Sequence, residues 1–260
     1  MPNPEASPDD HRLAAELATE AGTLLVELRA ELVAQGAEPA ELKAEGDRRA
    51  NTFLMERLAD LFPADAILSE EGKDEQGAGG TSRLEAERVW VVDPLDGTRE
   101  FSEPPRADWA VHVALVIGGA PVVGAVALPA QRLTLMTSPP PPMPPDPPAQ
   151  PRVIVSRSRP PAIATTLAAE LGAALVEMGS AGAKVAAVIM GAADVYAHGG
   201  GQFEWDSAAP VAVALAAGLH ATRLDGSPLV YNNPDPYLPD LLVCHPSLAE
   251  RALKVTRTAG

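Results

Sequence analysis

A run of prolines near the middle of the chain constrains the fold more than any other feature of the sequence. Residues 139–151 contain nine prolines in thirteen positions. Proline has no amide hydrogen and its ring fixes φ, so this segment can form neither a helix nor a central strand and is expected to be extended and stiff. The sequence therefore predicts a first lobe over residues 1–138, a connector over 139–151 and a second lobe over 152–260.

Apolar residues on both sides of the connector follow helical and strand periods in turn. Leucines and alanines at three- and four-residue steps predict an amphipathic helix over residues 11–33. A second helix is predicted over 47–61, with Asp47 as its N-cap. Residues 89–92 are expected to be a buried strand, and the apolar stretch 109–128 to be two strands around a turn rather than a membrane span. The pattern predicts an α/β protein with an α+β first lobe and an α/β second lobe.

The charge of the chain excludes several classes of partner. Twenty Lys and Arg against 35 Asp and Glu give a formal charge of −15, which repels a nucleic-acid backbone and an anionic membrane surface. We therefore expect neither a nucleic-acid polymer nor a membrane as partner. A small phosphate ester remains a suitable ligand, because bound divalent cations invert the local field of carboxylates.

Cysteine content and the first residues bear on the compartment. The single cysteine, Cys244, permits no intramolecular disulfide and no cysteine-based metal site, which fits a reducing environment. The first residues lack the basic start and apolar stretch of a secretory signal. The sequence therefore predicts a cytoplasmic location.

Residues 93–98 (Asp-Pro-Leu-Asp-Gly-Thr) have the composition of a cation site at the end of a strand. The proline fixes one torsion and Gly97 can adopt positive φ, so the carboxylates of Asp93 and Asp96 can converge. Hard cations such as Mg²⁺ prefer oxygen ligands, and two carboxylates with a backbone carbonyl between them meet that preference. Taken alone, the segment could equally be an Asp-Gly turn after a strand.

Two other acidic positions give this segment its context. Glu70 and Glu71 follow an earlier predicted strand, and Asp206 comes at the start of a later predicted helix. Carboxylates from three separate segments are what a two-metal phosphoryl-transfer site requires. Taken singly, the two glutamates could be a solvated turn and Asp206 a helix N-cap.

Together these segments resemble the inositol monophosphatase family of metal-dependent phosphatases. Two signatures of that family are matched by residues 90–98 (Trp-Val-Val-Asp-Pro-Leu-Asp-Gly-Thr) and 205–210 (Trp-Asp-Ser-Ala-Ala-Pro). Residues 69–71, 179–184 and 224–231 also fall in family order. The resemblance implies a layered α-β-α-β-α sugar-phosphatase fold with two lobes, and hydrolysis of a phosphate monoester by metal-activated water.

The resemblance also implies roles for individual residues. Four carboxylates and one carbonyl would hold two or three Mg²⁺ ions: Glu70, Asp93, Asp96 and Asp206, with the carbonyl of Leu95. Asp47 and Thr98 match the pair that orients and deprotonates the attacking water, and Glu70 joins them as a catalytic residue. The amides of Gly97 and Thr98 would bind the substrate phosphate. Inhibition by Li⁺, which competes for a Mg²⁺ position, is a further implication.

Within the family, residues 99–101 (Arg-Glu-Phe) look like the same segment of bacterial 3′(2′),5′-bisphosphate nucleotidases. Residues 155–159 and 179–184 are also similar to segments of that branch. The substrate contacts implied by these three segments are Arg99, Ser156, Arg157, Ser180 and Lys184. The basic side chains would engage the non-scissile phosphate of adenosine 3′,5′-bisphosphate, whose hydrolysis gives AMP and links the chain to sulfate assimilation. Arg157 could equally be a solvated surface charge.

Two alternatives stay open at this point. A related enzyme acting on inositol monophosphate or fructose 1,6-bisphosphate would use the same metals and water, and a non-catalytic phosphate-ligand sensor could retain the fold. The sulfated precursor of adenosine 3′,5′-bisphosphate is a further possible substrate, and a homodimer is compatible with the resemblance. His112, His198 and His220 lie in apolar, strand-like surroundings and are interpreted as structural.

Overall fold

The computed structural model of the chain describes residues 5–72 and 81–259. Two long helices, α1 (Pro8–Ala34) and α2 (Pro39–Leu61), precede the first sheet. That sheet contains, in spatial order, β1 (Ala66–Ser69), β2 (Arg88–Asp96), β3 (Ala110–Ile117), β4 (Ala120–Leu128) and β5 (Leu133–Met136). β1 and β2 are parallel, and the other pairs are antiparallel. A short helix, α3 (Thr98–Phe101), follows β2.

The second sheet has five strands in the spatial order β7-β6-β8-β10-β9. They are β6 (Arg152–Ser156), β7 (Ala174–Met178), β8 (Val195–Phe203), β9 (His220–Thr222) and β10 (Tyr237–Cys244). β6, β7 and β8 are parallel, while β10 runs antiparallel to both β8 and β9. The helices of this half are α4 (Ala162–Leu171), α5 (Ala181–Ile189), α6 (Glu204–Ala216) and α7 (Pro246–Ala259).

Helices and sheets stack in five layers. The core cluster that includes Leu25 and Trp90 joins α1 and α2 to one face of the first sheet. A second cluster, which includes Val91 and Ala209, places α5 and α6 between the two sheets. The third cluster joins α4 and α7 to the outer face of the second sheet. The layered α-β-α-β-α prediction is therefore confirmed.

The proline-rich connector lies between the strands of the first sheet and those of the second. Pro144 within it is buried. A Cβ placed on Gly191 would lie 3.3 Å from Pro145 Cδ, and one placed on Gly218 would lie 3.2 Å from Met143 Sδ. The connector is thus packed against the turns that end α5 and α6.

The start of α2 differs from the prediction, which was wrong to make Asp47 an N-cap. The helix begins at Pro39, a residue suited to the first helical position, and Asp47 lies well inside it. Gly46 is tolerated there because α2 packs closely on the end of β2. A Cβ on Gly46 would lie 2.8 Å from Leu95 Cδ2 and 2.9 Å from Phe101 Cε1.

The apolar stretch 109–128 forms the β3–β4 hairpin, as predicted, with Gly118 and Gly119 at positive φ in its turn. Among the residues that the structure describes, no helix combines the length and apolarity that crossing a membrane requires. The sequence also predicts a glycine-rich acidic loop that follows residues 69–72 and runs to about residue 81. It lies mainly outside the described residues, which omit 73–80.

Candidate functional site

Three carboxylates from the two halves of the chain converge at one point. Asp93 and Asp96 lie at the C-terminal end of β2, and Asp206 lies in the first turn of α6. One oxygen of each carboxylate lies within 4.8 Å of those of the other two. We call these three residues the carboxylate cluster.

A β-bulge brings the two carboxylates of β2 to the same side. Asp93 pairs with His112 of β3, but Asp96 pairs with Ala110, so the two residues between them on β2 face a single residue of β3. Side chains three apart on a regular strand point to opposite faces, and the extra residue of the bulge cancels that alternation. Gly97 then turns the chain at a φ of 85° into α3.

Asp206 combines a helix-capping role with its place in the cluster. It is the third residue of α6, and its Oδ2 accepts a hydrogen bond from the amide of Phe203 at 2.7 Å. The ring of Phe203 stacks on Trp205 with centroids 4.8 Å apart. The capping interpretation of Asp206 is therefore compatible with its convergence on the β2 carboxylates.

Asp96 also fixes the start of α5. It accepts hydrogen bonds from Ser180 Oγ at 2.5 Å, the Ala181 amide at 3.1 Å and the Gly182 amide at 2.5 Å. A Cβ on Gly97 would lie 2.9 Å from Ser180 Cβ. Two of the predicted substrate contacts, Gly97 and Ser180, are thus adjacent to each other and to the cluster.

In the part of the chain that the structure describes, no strongly basic side chain balances the charge of the cluster. Among the described residues, no lysine or arginine forms an ion pair with Asp93, Asp96 or Asp206. Burial and then the charges of Glu70, Asp96 and Asp206 raise the pKa of Asp93. Burial and then Asp96 raise the pKa of Asp206 to about 8. An oxygen-only set of ligands with this much unbalanced charge fits a hard divalent cation.

Glu70 follows β1 and begins a short 3₁₀ turn, Glu70–Gly72. β1 is parallel to β2, so their C-terminal ends lie at the same edge of the sheet. The charge of Glu70 contributes to the raised pKa values of Asp93 and Asp206. It thus lies at the border of the carboxylate cluster.

Asp47 and Thr98 meet beside the same edge of the sheet. Thr98 Oγ1 can donate to Asp47 Oδ1 at 3.3 Å or to the Leu95 carbonyl at 3.2 Å. Burial, followed by the charges of Glu71 and Glu70, raises the pKa of Asp47 to about 7. The hydroxyl group of Thr98 therefore links α2 to the end of β2.

Three of the predicted substrate contacts are engaged by other groups. Arg99 is exposed and its Nε donates to Glu103 at 3.1 Å. Arg157 donates to Glu100 and to Glu103, both at 2.7 Å. Ser156 Oγ lies within its own loop, where it accepts the amide of residue 159. These side chains form a rim near the cluster and not part of it.

Lys184 is buried rather than available at the surface. Its Nζ donates to the carbonyls of Gly179 at 3.3 Å and Ser180 at 2.5 Å, and lies 5.4 Å from the ring centroid of Tyr196. Burial lowers the pKa of Lys184, which the nearby acidic groups partly offset. In this arrangement Lys184 supports the turn that carries Ser180.

Sequence reasoning missed three residues that shape the site. Asp108 accepts the amide of Gly179 at 2.6 Å, and Glu100 packs against Gly179 so closely that no larger residue fits there. His112, interpreted as structural, has its Nε2 3.3 Å from Asp96 Oδ2. The signal for His112 was its place in the β2–β3 pairing, directly opposite Asp93.

Comparisons with known proteins agree with this geometry. The sequence profile of the inositol monophosphatase family matches residues 10–259. The 3′-phosphoadenosine 5′-phosphate phosphatase of Mycobacterium leprae (strain TN) is 47% identical over 265 residues, which cover 97% of this chain and 95% of that protein. The 3′(2′),5′-bisphosphate nucleotidase CysQ of Escherichia coli O157:H7 is 30% identical, over 86% of this chain and 94% of that protein.

A solved structure extends the similarity to the fold. Inositol monophosphatase II from Staphylococcus aureus MSSA476 superposes with a TM-score of 0.76 at 21% identity, covering 97% of this chain and 96% of that one. Profile, relatives and fold agree over nearly the whole length. This chain belongs to the inositol monophosphatase family of metal-dependent phosphatases.

Proposed function

We propose that this chain hydrolyses the 3′-phosphate of adenosine 3′,5′-bisphosphate, giving AMP and inorganic phosphate, with Mg²⁺ as its cofactor. The observation that carries the proposal is the convergence of Asp93, Asp96 and Asp206 without a lysine or arginine partner among the described residues. The choice of substrate is supported by the names of the M. leprae and E. coli relatives. The sulfated precursor is included as a second substrate.

The metal ligands proposed lie after β1, at the end of β2 and at the start of α6, where the three aspartates converge. They are Glu70, Asp93, Asp96 and Asp206, with the carbonyl of Leu95. When bound there, two or three Mg²⁺ ions supply Lewis-acid activation of the phosphate ester and of the attacking water. The oxygen-only composition favours Mg²⁺ over softer metals.

Asp47, Thr98 and Gly97 would act directly on the reactants. Thr98 Oγ1 takes a proton from the attacking water while its own proton passes to Asp47, whose Oδ1 is 3.3 Å away. The amides of Gly97 and Thr98 face the scissile phosphate from the turn that precedes α3. Ser180, adjacent to Gly97, adds a hydroxyl donor.

Arg157 and Arg99 would bind the second phosphate. Both arginines now pair with the carboxylate of Glu103. When the substrate binds, each arginine would exchange this carboxylate for the phosphate. Ser156 is a further donor on the same loop. The ammonium group of Lys184 is occupied by the backbone carbonyls of Gly179 and Ser180. Lys184 would therefore act on the substrate through its positive charge, from beneath the turn that carries Ser180, and not through a direct contact.

The proposal includes a cytoplasmic location and a homodimer. Cys244 is buried and burial raises the pKa of its thiol to about 12, so it is protected as a thiol. Sedimentation of the purified protein tests the homodimer directly.

The substrate is tested by phosphate release in the presence of MgCl₂. The assay compares adenosine 3′,5′-bisphosphate, its sulfated precursor, inositol 1-phosphate and fructose 1,6-bisphosphate. We expect the highest kcat/KM for adenosine 3′,5′-bisphosphate, by at least about 100-fold over inositol 1-phosphate, because only the nucleotide offers both a second phosphate and a base. Preference for inositol 1-phosphate would contradict the substrate, and no Mg²⁺-dependent release from any ester would favour the sensor alternative.

A further inference from the structure

The imidazole of His112 connects the two halves of the carboxylate cluster. His112 lies on β3, opposite Asp93, and its side chain is 0% exposed. Its Nδ1 lies 3.0 Å from the carbonyl oxygen of Trp205, and its Nε2 lies 3.3 Å from Asp96 Oδ2. One ring therefore contacts the strand end that carries Asp96 and the helix turn that carries Asp206.

The partner of Nδ1 fixes the orientation of this ring. A carbonyl oxygen can only accept, so Nδ1 carries a hydrogen and donates it to Trp205. The bond lies in the interior, where no water competes for either group. Because Trp205 immediately precedes Asp206, the bond ties the first turn of α6 to β3.

Gly182 shows how closely the surroundings fit the ring. A Cβ on Gly182 would overlap His112 Nε2 and lie 2.7 Å from Cε1. Gly182 is in α5, so the imidazole is enclosed between α5, α6 and the end of β2. A residue larger than glycine at position 182 would therefore displace the ring.

We propose that His112 is a positioning residue of the metal site, which holds Asp206 at ligand distance from Asp93 and Asp96 through its bond to the Trp205 carbonyl. This inference rests on the metal site of the proposed function. Ligands that come from separate halves of a chain need such a fixed connection, because residues behind the ligands set their orientation. The role is assigned to the Nδ1 end of the ring, which can be tested separately from the Nε2 end that lies 3.3 Å from Asp96 Oδ2.

The test measures Mn²⁺ binding to the full chain from the electron paramagnetic resonance signal of the free ion. His112→Asn places an amide donor where Nδ1 stood and retains the bond to Trp205. His112→Gln extends towards the position of Nε2 and loses that bond. We expect Mn²⁺ affinity about 10-fold weaker in His112→Gln and in His112→Leu, but within about 3-fold of the parent in His112→Asn.

Two further variants sharpen the result. Gly182→Ala forces the imidazole aside, so we expect weaker Mn²⁺ binding in the parent background. The same substitution should cost less in the His112→Asn background, because the shorter side chain leaves room for the added methyl group. His220→Gln, in β9, is the matched control and should leave affinity unchanged.

The outcomes separate this inference from the proposed function. A parent protein that binds no Mn²⁺ overturns both. A parent that binds Mn²⁺, with His112→Asn and His112→Gln equally affected or equally unaffected, overturns the positioning role alone. If circular dichroism shows that His112→Leu does not fold, the comparison of Asn with Gln decides.

Discussion

Two neighbouring groups of acidic side chains in this molecule are treated in opposite ways. In the carboxylate cluster, Asp93, Asp96 and Asp206 converge with no lysine or arginine paired to them among the described residues. Around the adjacent rim of Arg99, Arg157 and Ser156, to which we now add the nearby acidic groups, Glu100, Glu103 and Asp108 each have an arginine partner. The rim pairs are Glu100 with Arg157, Glu103 with Arg99 and Arg157, and Asp108 with Arg106. Acidic charge is thus balanced in the rim and left unbalanced at the proposed metal site.

The pKa directions follow the same division. Burial and neighbouring carboxylates raise the pKa values of Asp93 and Asp206. Hydrogen bonds from Arg99 and the charge of Arg157 lower the pKa of Glu103. Identical functional groups thus report two opposite environments within one region.

The substitution with the largest expected effect on the contrast between the cluster and the rim is Asp93→Asn. The variant should lose at least about 10³-fold in kcat/KM, because a metal ligand loses its charge. Without metal it should unfold at a higher temperature than the parent, because one of several mutually repelling carboxylates has been neutralised. Phosphate release with MgCl₂ and thermal unfolding in EDTA measure the two effects. Turnover near that of the parent would refute the metal assignment.

Stabilisation of the fold by added metal should depend on the carboxylate cluster and not on the acidic groups of the rim. At about 100 times its dissociation constant, Mg²⁺ should raise the free energy of unfolding by about 2.7 kcal/mol. The gain should shrink in Asp206→Asn and persist in Glu103→Gln, which changes only the balanced rim. Urea denaturation with MgCl₂ or EDTA measures it. Equal stabilisation of both variants would contradict the division.

Asp10, in α1, is a carboxylate whose charge is balanced by an arginine, Arg88, outside the candidate site. Burial alone would raise its pKa, but hydrogen bonds from Arg88 and Ser7 outweigh burial and lower it below 3.8. A lowered pKa stabilises the fold above the unfolded value, and this contribution is lost as the pH falls through the folded value. Asp10→Asn should therefore cost about 2 kcal/mol at pH 7.

The pH series supplies the check on that prediction. The difference between Asp10→Asn and the parent should diminish in urea denaturation below pH 3.8. Asp9→Asn is the matched control, since Asp9 is a neighbouring, exposed carboxylate paired with Arg12. Its effect should stay below about 0.5 kcal/mol. A constant difference at every pH would show that Asp10 does not act through its charge.

The smallest expected effect tests whether the rim also binds substrate. Arg157→Ala should raise KM for adenosine 3′,5′-bisphosphate about 10-fold and leave kcat unchanged, because one charge-assisted contact to the second phosphate is lost. KM for adenosine 3′-monophosphate, which lacks that phosphate, should not change. Glu103→Gln releases Arg157 from one partner and should lower KM for the bisphosphate. Equal effects on both nucleotides would make Arg157 purely structural.

The resemblance to the family implied the layered fold, while local signals predicted the alternation of helices and strands and the acidic segments at the ends of strands. At the end of the buried strand that contains Asp93, the proline fixes one backbone torsion and the glycine permits positive φ, so this short segment determines its own turn. The alternation of apolar periods after the connector likewise predicted the second sheet. The start of α2 escaped prediction because Asp47 has the residue type of an N-cap, whereas the helix begins at Pro39 and its interior accommodates Gly46 by close packing on Leu95 and Phe101.

The features of the site that the sequence did not predict depend on contacts between distant segments. The bulge that aligns Asp93 with Asp96 depends on the register between β2 and β3, which no single segment encodes. Arg157, which pairs with both Glu100 and Glu103, comes from a loop of the other half of the chain. The surroundings of His112 likewise come from distant segments, since Trp205 lies in α6 and Gly182 in α5.

The core cluster shared by the two sheets has a consequence for synthesis on the ribosome. The face of the first sheet that includes Val91, Ala114 and Val126 is covered by α5 and α6, which emerge much later. Until then, the nascent chain presents an apolar sheet face and only two of the three clustered carboxylates. A premature stop before α6 would therefore yield an inactive product with the kind of exposed surface that chaperones and proteases recognise. Catalytic competence and escape from quality control are gained at the same step.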